Sequence, residues 1–433
     1  IIPLFEEFNF YYDQARDAFA ALDLAQGDLK IVGPSTSVEG LYHGVLYYYI
    51  LAPIYFFGGG SIEVAAGFMR VFNALGVFLI FYVGSVVFNK RTGLIAALLF
   101  TFSFEQSQFS IYMGNPTLAV LSVMLMYLGI ALVIFKKKNV GLPIAVLGLG
   151  FSVQFQFALI YLTLPFLFTF LIFKKSVSRV PAKIWFFPLL AFLISFSTFI
   201  LVELKYNFIT LHSLSNVGSS AERNLKDIFQ TYSFTLSRMA KYNLTGQTNL
   251  EGIILIILLL LLFFNLKKKE YSKRIIFLSI WFFSIFSTIL ISGGVSNIEN
   301  NVPLYYPNVG VSLALLLFVA FLIFQLLEFN RVLGIVAIFI IIIANVKQIQ
   351  AFSLKGTIPE INVQQGMLLS LEKQVLDYIY NESSGNSFAV KGVTMPFLIN
   401  TTWGYLFEYY GKSKYGYLPI WNGKNAVGYP GNL

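Results

Sequence analysis

Apolar runs close to the roughly 20 residues that a bilayer-spanning helix needs recur along this chain of 433 residues, separated by short charged loops. Ten runs stand out: 64–88, 93–110, 117–135, 140–156, 158–173, 184–202, 252–266, 275–292, 308–327 and 332–350. The fourth and fifth are the least clearly divided, because only Gln154 and Gln156 interrupt 140–173. Three long polar segments, 1–63, 203–251 and 351–433, flank or interrupt the series. The pattern predicts an all-α polytopic membrane protein.

The polar segments have periodicities of their own. Residues 13–26 read as a helix in which Asp13, Arg16 and Asp17 fall within one turn, and spacings of three and four place them on one face. A Gly/Pro/Ser-rich stretch, GPSTSVEG, follows. The next run, LYHGVLYYYILAPIYFF over 41–57, is apolar but carries His43, five tyrosines and Pro53. Tyrosine favours the headgroup level, so this run predicts an interfacial or re-entrant helix rather than a span. Residues 220–242 predict an amphipathic helix lying on the membrane, and 363–380 a further helix. SFAVKGVT reads as a strand, and WGYLFEYYGKSKYGYLP as an aromatic-rich segment. No internal repeat is visible. The expected organisation is a catalytic loop with juxtamembrane helices over 1–63, a membrane domain over 64–350 with an outer loop at 203–251, and a small terminal segment over 351–433.

Charge gives the chain an orientation. Only 12% of residues are charged, against about 25% in a soluble domain, and mean hydropathy is +0.72. The net charge of +9 would suggest nucleic acid, but half of the 30 basic residues lie in five short alternate loops. These hold Lys90 and Arg91, Lys136 to Lys138, Lys174 to Lys183, Lys267 to Arg274, and Arg331; the opposite short loops, 111–116 and 293–307, have none. The positive-inside rule makes the basic side cytoplasmic and sets all three polar segments on the extracytoplasmic side. No nucleic-acid-binding pattern appears, and the expected partner is the lipid bilayer. There is no cysteine, which excludes disulfides and thiolate metal sites. The chain starts at Ile1, in a short segment that quickly becomes polar. That predicts a signal-anchor helix upstream, an eleventh span.

Asp13 is the first chemical candidate. A carboxylate at the hydrocarbon boundary, beside Tyr11 and Tyr12, is suited to general-base work, and it can also start helix 13–26 as an N-cap. Arg70 lies early in the first span, where a cation either snorkels outward or binds an anion. Glu203 and Lys205 end the sixth span in VELKYNF, as an interfacial pair or as a second phosphate-binding cation held by its neighbour. Glu105, Gln108, Asn115, Gln154 and Gln156 sit at one depth on several spans; they can line a sugar pocket or bond helix to helix. His43 and His212 are the only histidines, a weak metal set, and His43 reads as a hydrogen-bonding residue. There is no phosphate loop, no GxSxG, and no DxD within a soluble nucleotide-binding fold, which argues against a nucleotide-sugar donor.

These pieces in this order resemble the GT-C glycosyltransferases, and within them the dolichyl-phosphate-mannose–protein mannosyltransferase-like family that includes aminoarabinose transferases. YYDQARDAF, GPSTSVEGLYHGVLYYYILAP, AAGFMRVFNALG, QFSIYMGNPTL, FSVQFQF and VELKYNF carry the resemblance, over 11–208. It implies a GT-C fold and a sugar donor on a polyprenyl phosphate. It also implies transfer, with inversion, to a hydroxyl of an acceptor protein, lipid or glycan. The family's acidic base maps to Asp13. Many members have Asp-Glu there, whereas this chain has Asp13-Gln14 with Asp17 a turn later, which leaves both aspartates as candidates. The phosphate ligands map to Arg70 and Lys205. Arg16, Glu39, His43, Tyr47, Gln108, Asn115, Gln154 and Glu203 are the expected substrate contacts. No cofactor is required, and a divalent cation is left open.

Rival readings are a flippase or transporter for lipid-linked sugars, a polysaccharide polymerase or ligase, and a non-catalytic scaffold. A transporter calls for midplane charges and often inverted repeats, neither of which stands out here. A ligase would carry its main loop late in the chain, whereas the acid-rich loop here comes first.

Overall fold

The computed structural model describes residues 7–36, 38–217, 225–246, 248–289, 298–299, 302–303, 305, 308–352, 355–358, 361, 367–390 and 400–421. Helix dominates. α1 (Tyr12–Ala25) and α2 (Leu46–Phe57) precede α3 (Ile62–Ala74) and α4 (Gly76–Val87), which run on as one apolar helix of 26 residues. α5 (Lys90–Phe102) and α6 (Phe104–Ile111) meet at a 56° bend. α7 (Asn115–Lys136) is the buried central helix, and α8 (Gly141–Phe155) packs along it. The series continues with α9 (Thr163–Ile172), α10 (Lys174–Val177), α11 (Phe186–Lys205), α12 (Ile209–Val217), α13 (Leu225–Ala240), α14 (Glu251–Lys267) and α15 (Ser272–Phe282). α16 (Ser312–Phe329), α17 (Arg331–Phe352), α18 (Leu369–Ser383), α19 (Thr401–Leu406) and α20 (Lys412–Tyr415) complete it.

Within the described residues each of the ten expected spans falls on helix, with 290–292 of the eighth outside them, but not all are full-length crossings. Among the described residues five helices are long and apolar enough to cross a membrane, and the α5–α6 pair makes a sixth if taken as one bent span. α8 and the segment Phe157–Ile172 are shorter apolar helices, parted at Gln156 where the expected boundary lay. The amphipathic helix near 220–242 is α13 followed by a π-turn over Lys241–Thr245, with 220–224 outside the described residues. Of the strand expected at SFAVKGVT, Ala389–Val390 pairs in parallel with Ile420–Trp421, and residues 391–394 lie outside the described residues. The aromatic-rich segment is helical, as α19, a π-turn and α20.

Contacts at the loops sort them to two ends. At one, Arg91 pairs with Glu328 at 2.6 Å and Arg274 Nε donates to the Val87 carbonyl at 2.7 Å, so three basic loops lie together. Val133, Leu142 and Val180 pack the loops after α7 and α10 against each other. At the other end the Gly44 N–H donates to the Gln154 carbonyl at 2.8 Å, and Asn115 reaches Gln156 Oε1 at 3.2 Å. The loop carrying α1 sits at this second end, opposite the basic loops.

Candidate functional site

α1 starts at a capping box: Tyr11 is the N-cap, and its N–H donates to Gln14 Oε1 at 3.2 Å. Asp13 falls in the first turn, where the helix dipole favours a carboxylate. Ala15, Ala18 and Ala21 are fully buried, so α1 comes close to the apolar face of α2 and to α19. The helix therefore has little freedom to rotate, and the polar face it presents is fixed.

That face carries three charges in contact. Arg16 donates from Nη1 to Asp13 Oδ1 at 2.8 Å, and from Nε and Nη2 to Asp17 Oδ1 at 2.9 and 2.8 Å. Nη1 also reaches Ser35 Oγ at 3.3 Å, which ties the Gly/Pro/Ser-rich loop to α1. The two aspartates differ in setting. The Asp13 side chain is 45% exposed and the Asp17 side chain 3%. Burial pushes the Asp17 carboxyl up to about 6; Arg16 and the Tyr48 hydroxyl pull it down, and the Asp13 charge adds to the rise. Tyr47, named from the sequence as a substrate contact, is buried in the wall behind Asp17.

The loop above α2 is clamped to α8. The His43 N–H donates to the Pro34 carbonyl at 2.8 Å, and His43 Nδ1 accepts from the Phe157 N–H at 3.0 Å. The proton of this imidazole is therefore on Nε2. Burial, with the Arg16 charge, holds its pKa down at about 3, so it is neutral at physiological pH. Gln154 Oε1 accepts the Leu46 N–H at 3.3 Å, while its Nε2 donates to the Ser195 carbonyl and to Thr198 Oγ1, both at 2.8 Å. Only glycine fits above it, since a Cβ on Gly44 would stand 1.9 Å from Gln154 Oε1.

The remaining expected site residues are dispersed. Gln108 Oε1 accepts the Ile358 N–H at 2.8 Å, and Asn115 donates to the Phe155 carbonyl. Glu203 accepts the N–H groups of Thr210 and Leu211 at the start of α12, at 3.2 and 3.4 Å. Glu39 is exposed. Arg70 is half-buried over the Phe8 ring at 5.8 Å, and Lys205 is exposed over the Tyr206 ring at 5.4 Å. No described hydrogen bond or ion pair joins Lys205 to the α1 cluster. Among the described residues no three His, Cys, Asp or Glu side chains gather as a metal site.

A second charged cluster was not anticipated. Glu105, at the start of α6, is fully buried and accepts from Ser312 Oγ at 2.6 Å, Asn243 Nδ2 at 2.6 Å and the Tyr305 hydroxyl at 2.9 Å. Arg238 of α13 lies beside it, 3% exposed, with its guanidinium 5.0 and 5.1 Å from the Phe234 and Tyr305 rings. Among the described residues none of its three guanidinium nitrogens has a hydrogen-bond partner. A buried cation with free donors is costly unless an anion completes it. α6 links the two clusters: Glu105 stands near its first residue, and Tyr112, just past its last, lies beside Tyr11 next to Asp13. Seven residues of helix are roughly 10 Å long.

Solved structures similar to the whole chain include the following two. One is ArnT from Cupriavidus metallidurans bound to undecaprenyl phosphate, with a TM-score of 0.60 at 11% identity, over 97% of this chain and 83% of that one. The other is the apo oligosaccharyltransferase of Archaeoglobus fulgidus, with a TM-score of 0.55 at 14% identity, over 96% of this chain and 61% of that one. The fold is GT-C. The sequence of the GT-C chain also matches the dolichyl-phosphate-mannose-protein mannosyltransferase family model over residues 42–202. That interval takes in His43, Tyr47, Arg70, Gln108, Asn115 and Gln154, whereas α1 and Arg238 lie outside it. Among curated proteins no significant sequence match is found. The family resemblance drawn from the motifs is thus met by the family model over 42–202 and, in fold, by ArnT and the oligosaccharyltransferase.

Proposed function

We propose that this GT-C protein transfers a sugar from a polyprenyl-phosphate donor to an acceptor hydroxyl, with inversion, at the extracytoplasmic face of the membrane, and that Asp13 is its general base. The observation that carries the reading is the contrast within α1. Asp13 is half-exposed and held by Arg16 through one oxygen, whereas Asp17 is buried behind it. Undecaprenyl phosphate in the ArnT structure supports a lipid-phosphate donor by analogy of fold.

The step is a single displacement. The acceptor hydroxyl gives its proton to Asp13 as its oxygen attacks the anomeric carbon, and the bond from that carbon to the phosphate oxygen breaks on the opposite side. The departing polyprenyl phosphate carries the charge away and needs cations to receive it. Arg238 is assigned this place together with Arg70 and Lys205. It has free donors in a low-dielectric setting, where a charge-assisted bond to phosphate is strongest. The roughly 10 Å of α6 from Glu105 to Tyr112 sets the scale of the separation between the two clusters. The half-buried clamp around His43 forms the side wall.

The test is sugar transfer by purified, lipid-reconstituted protein supplied with polyprenyl-phosphate sugars and a panel of hydroxyl acceptors. Asp13→Asn is expected to lower kcat by about 100- to 10,000-fold, the usual worth of a general base, with the melting profile unchanged. Full activity in that variant removes Asp13 from the mechanism.

A further inference from the structure

Asp17 has no direct part in the reaction above, yet it is the most enclosed carboxylate of the α1 loop. We propose that Asp17 is a positioning residue: it holds the Arg16 guanidinium turned away from Asp13, so that Asp13 keeps an unoccupied oxygen for the acceptor's proton. The proposal rests on Asp13 being the base.

The geometry is specific. Arg16 gives Asp17 two of its three nitrogens, Nε and Nη2, and both bond to the same oxygen, Oδ1. Only Nη1 remains for Asp13, and it is shared with Ser35 Oγ. Asp13 is therefore gripped through Oδ1 alone, and its Oδ2 accepts from no described residue. A guanidinium is a planar fork that pairs two-on-two with a carboxylate whenever it can turn to do so. At a spacing of three on one helix face, Arg16 has the reach to pair in this way with Asp13. The ionised Asp17, pinned in the α1–α2 interface, prevents that rotation. Once Asp17 is neutral, the fork loses its second anion and closes on both Asp13 oxygens.

The groups facing Asp17 fix when this happens. From α1 these are Arg16 and Asp13, and from α2 Tyr47, Tyr48 and Tyr55, whose hydroxyls are all held un-ionised by burial. His43 faces Arg16 and is neutral. From α19, Tyr405 packs on α1 through Phe19 with its hydroxyl given to the Gly60 carbonyl at 2.8 Å, and Tyr409 beyond it, beside Glu408, faces Asp23 at the far end of the helix. Arg16 is thus the one cation in contact with Asp17 among the described residues, and proton uptake at Asp17 is the event that frees it.

The experiment is the pH dependence of kcat for wild type, Asp17→Asn and Tyr48→Phe in the same reconstituted transfer assay, with Asp13→Asn as control. Wild type is expected to lose kcat as the pH falls through about 6. Asp17→Asn, with the fork closed at every pH, is expected to show kcat lowered about tenfold or more at pH 7.5, with the acceptor KM unchanged and no step near pH 6. Tyr48→Phe removes a hydroxyl that favours ionised Asp17, so its acid limb moves to higher pH while kcat on the alkaline plateau is kept. The inference is overturned if Asp17→Asn keeps the wild-type limb, or if the limb stays in place in Tyr48→Phe. The second comparison decides the matter should Asp17→Asn fail to fold. An active Asp13→Asn protein instead overturns the assignment of the base, so the two failures are distinguishable.

Discussion

At the scale of single residues, Asp17 works against folding as well as for geometry. An acid whose native pKa lies above its unfolded value binds extra protons in the folded state between the two values, so stability rises as pH falls through that window. For Asp17 the window runs from its ordinary carboxylate value near 3.8 up to about 6. The difference in melting midpoint between wild type and Asp17→Asn should therefore move in favour of wild type as pH is lowered from 7 toward 4, in the same range where wild-type activity is expected to fall. A scan of both proteins in detergent at several pH values checks the sign. Arg238 allows a companion measurement. Arg238→Gln keeps the shape and some donors but removes the charge. It should cut kcat/KM for the lipid donor by about 100-fold or more, as losses of charge-stabilising donors do, while leaving acceptor KM unchanged. The α1 triad was legible in the sequence because its members sit three and four residues apart on one helix. Arg238 was not: its neighbours Glu105 and Tyr305 are far away in the chain, and only folding shows that its charge is buried.

Elements impose the next level of constraint, chiefly where helices break. The α5–α6 bend at Ser103 is held by side chains from two other helices. Asn345 of α17 accepts the Phe104 N–H at 2.9 Å and donates to the Asn243 carbonyl at 2.9 Å, and Asn243 Oδ1 accepts from Ser103 Oγ at 2.8 Å. Asn345→Ala leaves a buried N–H and a buried carbonyl without partners, at about 1–3 kcal/mol each. Its melting midpoint should fall clearly, and transfer with it, because the same bend aims Glu105 toward Arg238. Gly44→Ala tests the clamp over α8, where overpacking against Gln154 is expected to cost about 1–3 kcal/mol. Helix positions were legible because apolar length is a strong signal. The bend and the clamp were not, since Ser103, Asn345 and Gly44 are unremarkable residues until their distant partners are known. Gln154 makes the same point: expected at a sugar pocket for its polarity, it uses its amide to fasten α2 and α11 to α8.

Across the whole molecule, two chemically distinct ends emerge, a basic one and one built around α1. A chain without cysteine allows a direct test of which end faces out. Single replacements at exposed Glu39 and Lys138 can be labelled with a membrane-impermeant maleimide. Glu39→Cys should react in intact cells, and Lys138→Cys only after permeabilisation; the reverse outcome would invert the topology and move the proposed site to the cytoplasmic face. The charge alternation made the two ends readable in outline, because Lys and Arg gather in loops that the fold brings together. What no local pattern could reveal is how the two polar segments furthest apart in sequence meet. The Phe10 N–H bonds to the Met367 carbonyl at 3.0 Å, and the Leu369 N–H to the Phe8 carbonyl at 3.0 Å. Tyr405 stands edge-on to Phe19 at 4.9 Å and tilted against Phe10 at 5.7 Å.

That last contact sets an order of events during synthesis. α1 leaves the ribosome long before Tyr405 does, and every membrane helix from α3 to α17 must be threaded into the bilayer in between. Through that interval the aromatic seat for α1 does not exist, so the Asp13–Arg16–Asp17 face is not yet locked in register with α2. Until Tyr405 folds back over Phe10 and Phe19, the α1 face lacks its aromatic support.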